Sequence, residues 1–554
     1  MHDKMPQTRL FIFPKVHRTV FLVSSLLILG FIIFGAFFSE TAGAVFTGIQ
    51  AWFADTLGWA LIIEVNLFLI ATVYLAFGPF ADIRLGRMND KPAYDLFSWT
   101  AMLFSAGIGI GLIYWGVAEP LYHYFAPPIG EAETAEAARQ AMVISFMHWG
   151  FQAWALYAVI ALALAYFHFR KGLPLTIRSA LYPLLGEKIY GPWGSAVDIL
   201  AVFGTMFGIV TSLGLGAMQI NSGLGEVFGI EQSTLTQIII IACITAVATL
   251  SVVAGLDGGI KRLSNLNIGL SMLFLLFILI VGPTVYIFDL FVQSYGDYVA
   301  QLVSWAFWTE AWQPDGSWQN SWTIFYWAWW ISWSPFVGVF VARISKGRTI
   351  REFVLGVMLL PTSIMFFWFC AFGGTALKIS LDGDRSLVEA TQNSYGDAMF
   401  ALLDQFPGST LMSGFAVILI VLWFVTSSDS GSFVIDMLTA GGDADPPKVQ
   451  RIFWAVTEGA VASVLLLAGG LNALQAAAVV AGFPFAVVCF FILIGLFKAL
   501  RWDTLMVYRH NQRYRSDEEA DHAMPSELPG DLYGAEPTPP PGVSPAASPT
   551  KPAE

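Results

Sequence analysis

The chain has 554 residues, of which 56% are hydrophobic, 15% aromatic and only 12% charged, with a mean hydropathy of +0.65. This composition excludes a soluble globular domain and places the chain among polytopic membrane proteins. The formal charge of −12 collects in loops and an acidic C-terminal stretch, so no nucleic-acid partner is expected, and Cys243, Cys370 and Cys489 stand isolated in apolar runs, forming neither a disulfide framework nor a metal cluster.

The first apolar run begins near Thr19, after Lys4, Arg9, Lys15 and Arg18, and is long enough to be retained as a span. Twelve spans are predicted, at 19–38, 56–78, 97–119, 140–167, 195–220, 235–256, 264–288, 322–342, 352–377, 409–438, 450–469 and 475–499. With the N-terminus in the cytoplasm, all of the 28 Lys and Arg residues except Arg139, Lys378 and Arg385 fall on the inside. The positive-inside rule therefore puts both termini in the cytoplasm, with an even number of crossings. Residues 293–312 are aromatic and only moderately apolar, which suggests a helix lying in the outer interface. After Arg515 the chain is acidic and Pro-rich with little to bury, and it reads as a disordered tail.

In the third span, Gly107, Gly109 and Gly111 alternate. Alternating glycines weaken a helix and let its backbone unwind or approach a neighbour closely. The same pattern serves tight packing between membrane helices. The fourth span reads HWGFQAWALY from His148. At about 100° per residue, Trp149, Trp154 and Tyr157 fall within roughly 140° of arc. His148 fits a ligand, a proton carrier or a hydrogen-bonded structural residue. In the eighth span Trp329, Trp330 and Trp333 share one helix face by their spacing of three and four. Electron-rich rings facing one space hold a quaternary ammonium by cation–π attraction. They also make an ordinary packing face. Pro335 adds a reason to look further, because a proline inside a span removes a helix hydrogen bond.

The tenth span is polar at its centre, with Thr426, Ser427, Ser428, Asp429, Ser430 and Ser432. Adjacent hydroxyls near free carbonyls suit a small hard cation such as sodium, although hydroxyls also bond back to their own helix. Glu64, Glu119, Asp198, Asp429 and Glu458 are among the acids that fall within spans. The tripeptide Val210-Thr211-Ser212 of the fifth span recurs as Val425-Thr426-Ser427 in the tenth, and the third and eighth spans both carry helix breakers. A repeat of five spans is inverted in the membrane, and paired broken helices in inverted halves mark a transport site at the midplane.

These segments, Phe104–Tyr124, the fourth-span HWG…W…Y set and Trp322–Thr349, resemble the betaine/choline/carnitine transporter family over about residues 10–500. The resemblance implies an all-α fold of twelve transmembrane helices, a LeuT-type 5+5 inverted repeat preceded by two extra helices. The parts would be a cytoplasmic segment (1–18), two peripheral helices (19–96), a first repeat (97–291), an interfacial helix (292–321), a second repeat (322–500) and a cytoplasmic tail (501–554). It implies a homotrimer in the bacterial inner membrane, and a secondary transporter rather than an enzyme. By the same resemblance Trp329, Trp330 and Trp333 form an ammonium-binding box with Trp149, Trp154 and Tyr157. Sodium, the coupling ion, would lie on Thr426 and Ser427 with carbonyls near Ser105 and Ile108. A second sodium site found in relatives is not matched, since Thr205 and Thr211 lie six apart with Ile209 where the partner would be. The glycine stretch lacks an acid to balance a net cation, which favours a zwitterion such as glycine betaine. Choline, carnitine, dimethylsulfoniopropionate and ectoine remain alternatives, as do proton coupling and precursor/product exchange.

Overall fold

Long apolar runs become helices because a backbone without water must satisfy its polar groups within its own segment. A computed structural model describes residues 7–107, 109–253, 257–313, 317–443 and 445–517. Its helices in chain order are α1 (Arg18–Phe37), α2 (Ser39–Phe77), α3 (Leu96–Gly107), α4 (Ile110–Phe125), α5 (Ala135–Trp149), α6 (Phe151–Ala165), α7 (Tyr182–Leu185), α8 (Pro192–Phe228), α9 (Thr234–Val253) and α10 (Asp257–Val281). They continue as α11 (Thr284–Ala306), α12 (Ser317–Gln319), α13 (Phe325–Ile344), α14 (Ile350–Ala371), α15 (Gly373–Leu381), α16 (Ser386–Asn393), α17 (Ala398–Asp404), α18 (Ser409–Thr439) and α19 (Lys448–Asp517). Among the described residues, eight helical stretches are long and apolar enough to cross a membrane, and a ninth is reached if α10 and α11 count as one bent span. Residues 1–502 form one unit and 503–554 another. The tail expected to be disordered lies, beyond Asp517, outside the described residues.

Burial separates periphery from centre. Within the most apolar window of each stretch, α1 is 33% buried and α2 50%, against 94% for the stretch containing α5 and α6 and 89% for that containing α13. The last two therefore form the middle of the bundle, beside α8. Ahead of α1 a small antiparallel hairpin, β1 (Thr8–Leu10) and β2 (Phe13–Val16), occupies a segment in which no structure was predicted. His17 then caps α1, its Nδ1 accepting from the Val20 amide at 3.5 Å. Burial, with the charge of Arg178 nearby, pushes its imidazole down to about 4, so the ring is neutral at ordinary pH.

The helix breaks refine the predicted spans. The third span divides between α3 and α4, and Gly109 at the junction is fully extended (φ −157°, ψ −169°). The fourth span also divides, at Gly150 (φ −97°, ψ −134°), a break that spacing alone did not suggest. A Cβ at Gly150 would stand 2.4 Å from the Phe146 carbonyl oxygen and 2.6 Å from the Phe366 ring, so only glycine fits. The predicted span 264–288 stops at Val281, where Gly282 and Pro283 turn the chain by 111° into α11. That turn starts the expected interfacial helix earlier than 292. The eighth span is not interrupted at Pro335: α13 passes through it. Proline has no N–H for the Ile331 carbonyl four residues back, and the Ser334 hydroxyl donates to that oxygen instead at 2.7 Å. Finally α19 contains a break at Gly469 and Gly470, the latter at φ 58°, where one predicted span ends and the next begins.

A buried ion pair ties the segment before α7 to the start of α8. Arg178 Nε donates to Asp198 Oδ2 at 2.6 Å, the Arg178 amide donates to Oδ1 at 3.1 Å, and both side chains are buried. Asp198→Ala would take away the carboxylate that balances the buried guanidinium and is expected to remove about 3–5 kcal/mol of stability. A melting temperature in detergent equal to that of the parent would show that the pair does not hold this corner together.

Candidate functional site

The centre of the bundle is an aromatic corner. Along α13, Tyr326, Trp329 and Trp330 share a face at spacings of three and four. Trp329 and Trp330 stack at 5.1 Å between ring centres and 18° between planes, forming one wall. Trp149, the last residue of α5, stands across them at 80° to Trp330 (5.0 Å) and 89° to Trp329 (6.3 Å). Tyr157 of α6 closes on Trp330 at 6.0 Å and 83°. Trp149 and Tyr157 thus meet this wall edge-to-face, gathering electron-rich rings of the kind that attract an ammonium. The break at Gly150 makes this possible, because it lets Trp149 and Tyr157 approach α13 from two separate helices.

The indole N–H groups are tied back to the protein, which holds the rings in place. Trp329 and Trp333 both donate to the Gly208 carbonyl of α8, at 3.2 and 2.8 Å, and Trp330 donates to the His148 carbonyl at 2.8 Å. Gly111 lies against the corner: a Cβ there would meet Trp329 at 2.8 Å and Trp149 at 3.2 Å. A Cβ at Gly109 would meet nothing within 4 Å among the described residues, and Gly107 ends α3.

Not every predicted member joins. Trp333 is half-buried and its one ring contact among the described residues is Phe336, at 5.3 Å. It sits a turn beyond the corner and shares with Trp329 the Gly208 carbonyl. Trp154 touches Tyr157 at 5.6 Å and donates to Met365 Sδ at 3.4 Å, so it supports the corner from behind. Tyr326 was not predicted, although its spacing of three and four from Trp329 and Trp330 carries the signal. It stacks on Trp330 at 6.1 Å and meets Trp149 at 5.7 Å.

Sequence reading also passed over how Glu119 would be used. From α4 its carboxylate accepts from His148 Nδ1 at 2.6 Å on Oε1, and from Trp149 Nε1 at 2.8 Å and the Tyr326 hydroxyl on Oε2. His148 Nε2 meets the Thr323 hydroxyl at 3.0 Å. A carboxylate bonded to an indole N–H fixes the ring and draws electron density toward its face, which strengthens its attraction for a cation.

The predicted cation ligands are only partly described. Ile108 lies outside the described residues, and of Ser105 only its place in α3 is described. On α18 the Thr426 hydroxyl donates to the Leu422 carbonyl at 2.6 Å and accepts from Asn267 Nδ2 of α10 at 2.7 Å, while Ser427 is half-buried. For the unmatched second site, Thr211 donates to the Phe207 and Leu474 carbonyls, away from Thr205, whose buried hydroxyl has no hydrogen-bond partner among the described residues.

The family described as BCCT, betaine/carnitine/choline family transporter, matches residues 19–505. The chain belongs to that family. A glycine betaine transporter of Acinetobacter baylyi is 46% identical over 494 residues, covering 89% of this chain and 74% of the relative. Glycine betaine transporter OpuD of Bacillus subtilis is 44% identical over 471 residues, 85% of this chain and 91% of the relative. Osmo-dependent choline transporter BetT2 of Acinetobacter baylyi is 42% identical over 491 residues, 88% of this chain and 72% of the relative. This member of the betaine/carnitine/choline transporter family is thus a multi-pass membrane transporter and not an enzyme. Gly111→Ala would push Trp329 and Trp149 apart and is expected to weaken onium binding about tenfold, or about 1.4 kcal/mol, with little change in melting temperature. Titration by intrinsic tryptophan fluorescence checks it, and unchanged affinity would remove Gly111 from the site.

Proposed function

We propose that this transporter imports a quaternary-ammonium zwitterion, glycine betaine first among them, by sodium-coupled alternating access. The observation that carries the reading is the right-angled corner of Trp149, Trp329 and Trp330, closed by Tyr157 and Tyr326. Each ring facing the ammonium contributes about 0.5–2 kcal/mol. A zwitterion also needs a partner for its carboxylate, and the start of α4 offers one. The first amides of a helix have no partner within it and lie at its positive end. Here they belong to a helix whose second residue, Gly111, lies within the van der Waals reach of Trp329 and Trp149, next to space at Gly109 that is open among the described residues. The ammonium would rest in the corner and the carboxylate on these amides. The relatives named as glycine betaine transporters support the same substrate class.

Around this site the proposal places twelve spans in two inverted halves, with both termini in the cytoplasm of a bacterial inner-membrane protein assembled as a homotrimer. The broken third span and the pairing of α8 with α18, which carry the repeated Val-Thr-Ser, support the inverted halves. Sodium would bind between α3 and α18, at Thr426 and Ser427 with carbonyls near Ser105 and Ile108. Coupling to protons is the second reading, favoured by one observation: the Thr426 oxygen already holds the Asn267 amide at 2.7 Å.

Uptake of radiolabelled glycine betaine into proteoliposomes under sodium, proton or no gradient tests the proposal. Accumulation only with inward sodium is expected; accumulation on protons alone would keep the corner and discard sodium. Trp330→Leu is expected to weaken binding by roughly 2- to 30-fold, the loss of one ring, and Trp333→Leu by less. Equal losses would place the ammonium elsewhere along α13. Replacing Thr426 and Ser427 together by Ala should raise the sodium concentration for half-maximal uptake, and an unchanged sodium dependence would remove both from the ion path.

A further inference from the structure

Beside the aromatic corner three metal-ligating groups converge, and one of them, His123, takes no part in holding the corner's rings. Glu119 and His123 lie four apart on α4, so they share one helix face, and His148 comes to them from α5. Glu119 Oε1, one nitrogen of His123 and one of His148 all lie within 4.8 Å of one another, and all three side chains are buried. His148 Nδ1 is 2.6 Å and His123 Nε2 3.4 Å from Glu119 Oε1.

The remaining atoms of two of these ligands are already held. Trp149 and Tyr326 occupy Glu119 Oε2, leaving Oε1 for the centre. Thr323 occupies His148 Nε2, leaving Nδ1 for the centre. Partners of this kind orient metal ligands and set the histidine tautomer. His123 is the anomaly. It is fully buried, and neither of its ring nitrogens makes a hydrogen bond among the described residues. The rings of Tyr122, Trp318 and Trp322 pack around it at 5.6, 5.1 and 4.6 Å. A buried imidazole whose facing acceptor stands off at 3.4 Å is poorly satisfied, so its Nε2, aimed at the Glu119 carboxylate, asks for an occupant.

We propose that Glu119, His123 and His148 form a binding site for a divalent transition metal of the zinc class, and that the bound ion inhibits transport. Two imidazoles and a carboxylate form a three-ligand zinc set with a fourth position open. Nitrogen donors disfavour magnesium and calcium, and the lack of a thiolate disfavours softer ions. Bonds of 2.0–2.2 Å at tetrahedral angles place ligand atoms about 3.3 Å apart. The 3.4 Å between Glu119 and His123 already has that separation. The 2.6 Å hydrogen bond between Glu119 and His148 gives way when the ion binds, and the two atoms part by under about 1 Å. Because all three side chains are buried, the ion enters when the helices part during transport. Inhibition follows from charge. A dication converts the carboxylate that holds Trp149 into a centre of net positive charge, and that centre repels an ammonium in the adjoining corner.

The test uses full-length protein without a polyhistidine tag, freed of metal and titrated with Co²⁺ as a visible probe. One equivalent is expected to bind with the intense absorption of a four-coordinate site and to be displaced by Zn²⁺. His123→Ala is expected to weaken Co²⁺ by about 100-fold or more, at least the loss seen on removing a supporting partner, while His168→Ala leaves it unchanged. In proteoliposomes, Zn²⁺ should raise the KM for glycine betaine severalfold in the parent and not in His123→Ala, whose metal-free uptake reports that it is folded. Should that variant not fold, X-ray absorption at the zinc edge of the parent decides the ligand set. No stoichiometric binding, a set other than two imidazoles and one carboxylate, or a KM indifferent to bound Zn²⁺ would each overturn the proposal.

Discussion

A single carboxylate buried in the bundle organises the centre of this transporter. Glu119 cannot sit in an apolar interior unless its charge is met by donors, and the donors it finds come from two other helices: His148 and Trp149 of α5 and Tyr326 of α13. Satisfying it therefore fixes the angle between α4, α5 and α13. Two of those donors are rings of the aromatic corner, and the third lends its backbone carbonyl to Trp330. Polar contacts at the edges of its rings hold the corner in one arrangement. A site held in its binding geometry before the ligand arrives loses less entropy on binding.

The breaks in the helices are the second organising device. At Gly109 the third span interrupts itself beside the corner, and at Gly150 the fourth does the same. Each break interrupts the helical hydrogen bonding within a span, which is tolerated only where protein or a cavity meets the freed backbone groups. Pro335 shows the opposite outcome. The helix runs through it because Ser334 takes up the carbonyl that proline leaves free, and the continuous α13 carries Tyr326, Trp329 and Trp330 on one face.

Much of this was legible in the residues. Runs of apolar length gave helices, since membrane burial leaves the backbone no other choice, and the spacing of Trp329 and Trp330 gave their common face. The glycine alternation allowed either a break or tight packing in the third span, and the break is what the structure has at Gly109. Other features carried no local signal. The break at Gly150 depends on Phe366, more than two hundred positions away, approaching its Cα. The hairpin before α1 is too short for periodicity to show.

The sequence by itself determined that this is a helical membrane protein with aromatic, glycine-rich and hydroxyl-rich spans, because hydropathy and helix period are properties of neighbouring residues. Only the tertiary structure decided which rings meet. Trp330 and Trp149 form the corner while Trp333, on the same predicted face, meets Phe336 instead. Only the structure, likewise, brought Glu119, His123 and His148 to one point. Helix spacing constrains direction about one axis, whereas contact between helices depends on crossing angles set by all the side chains between them.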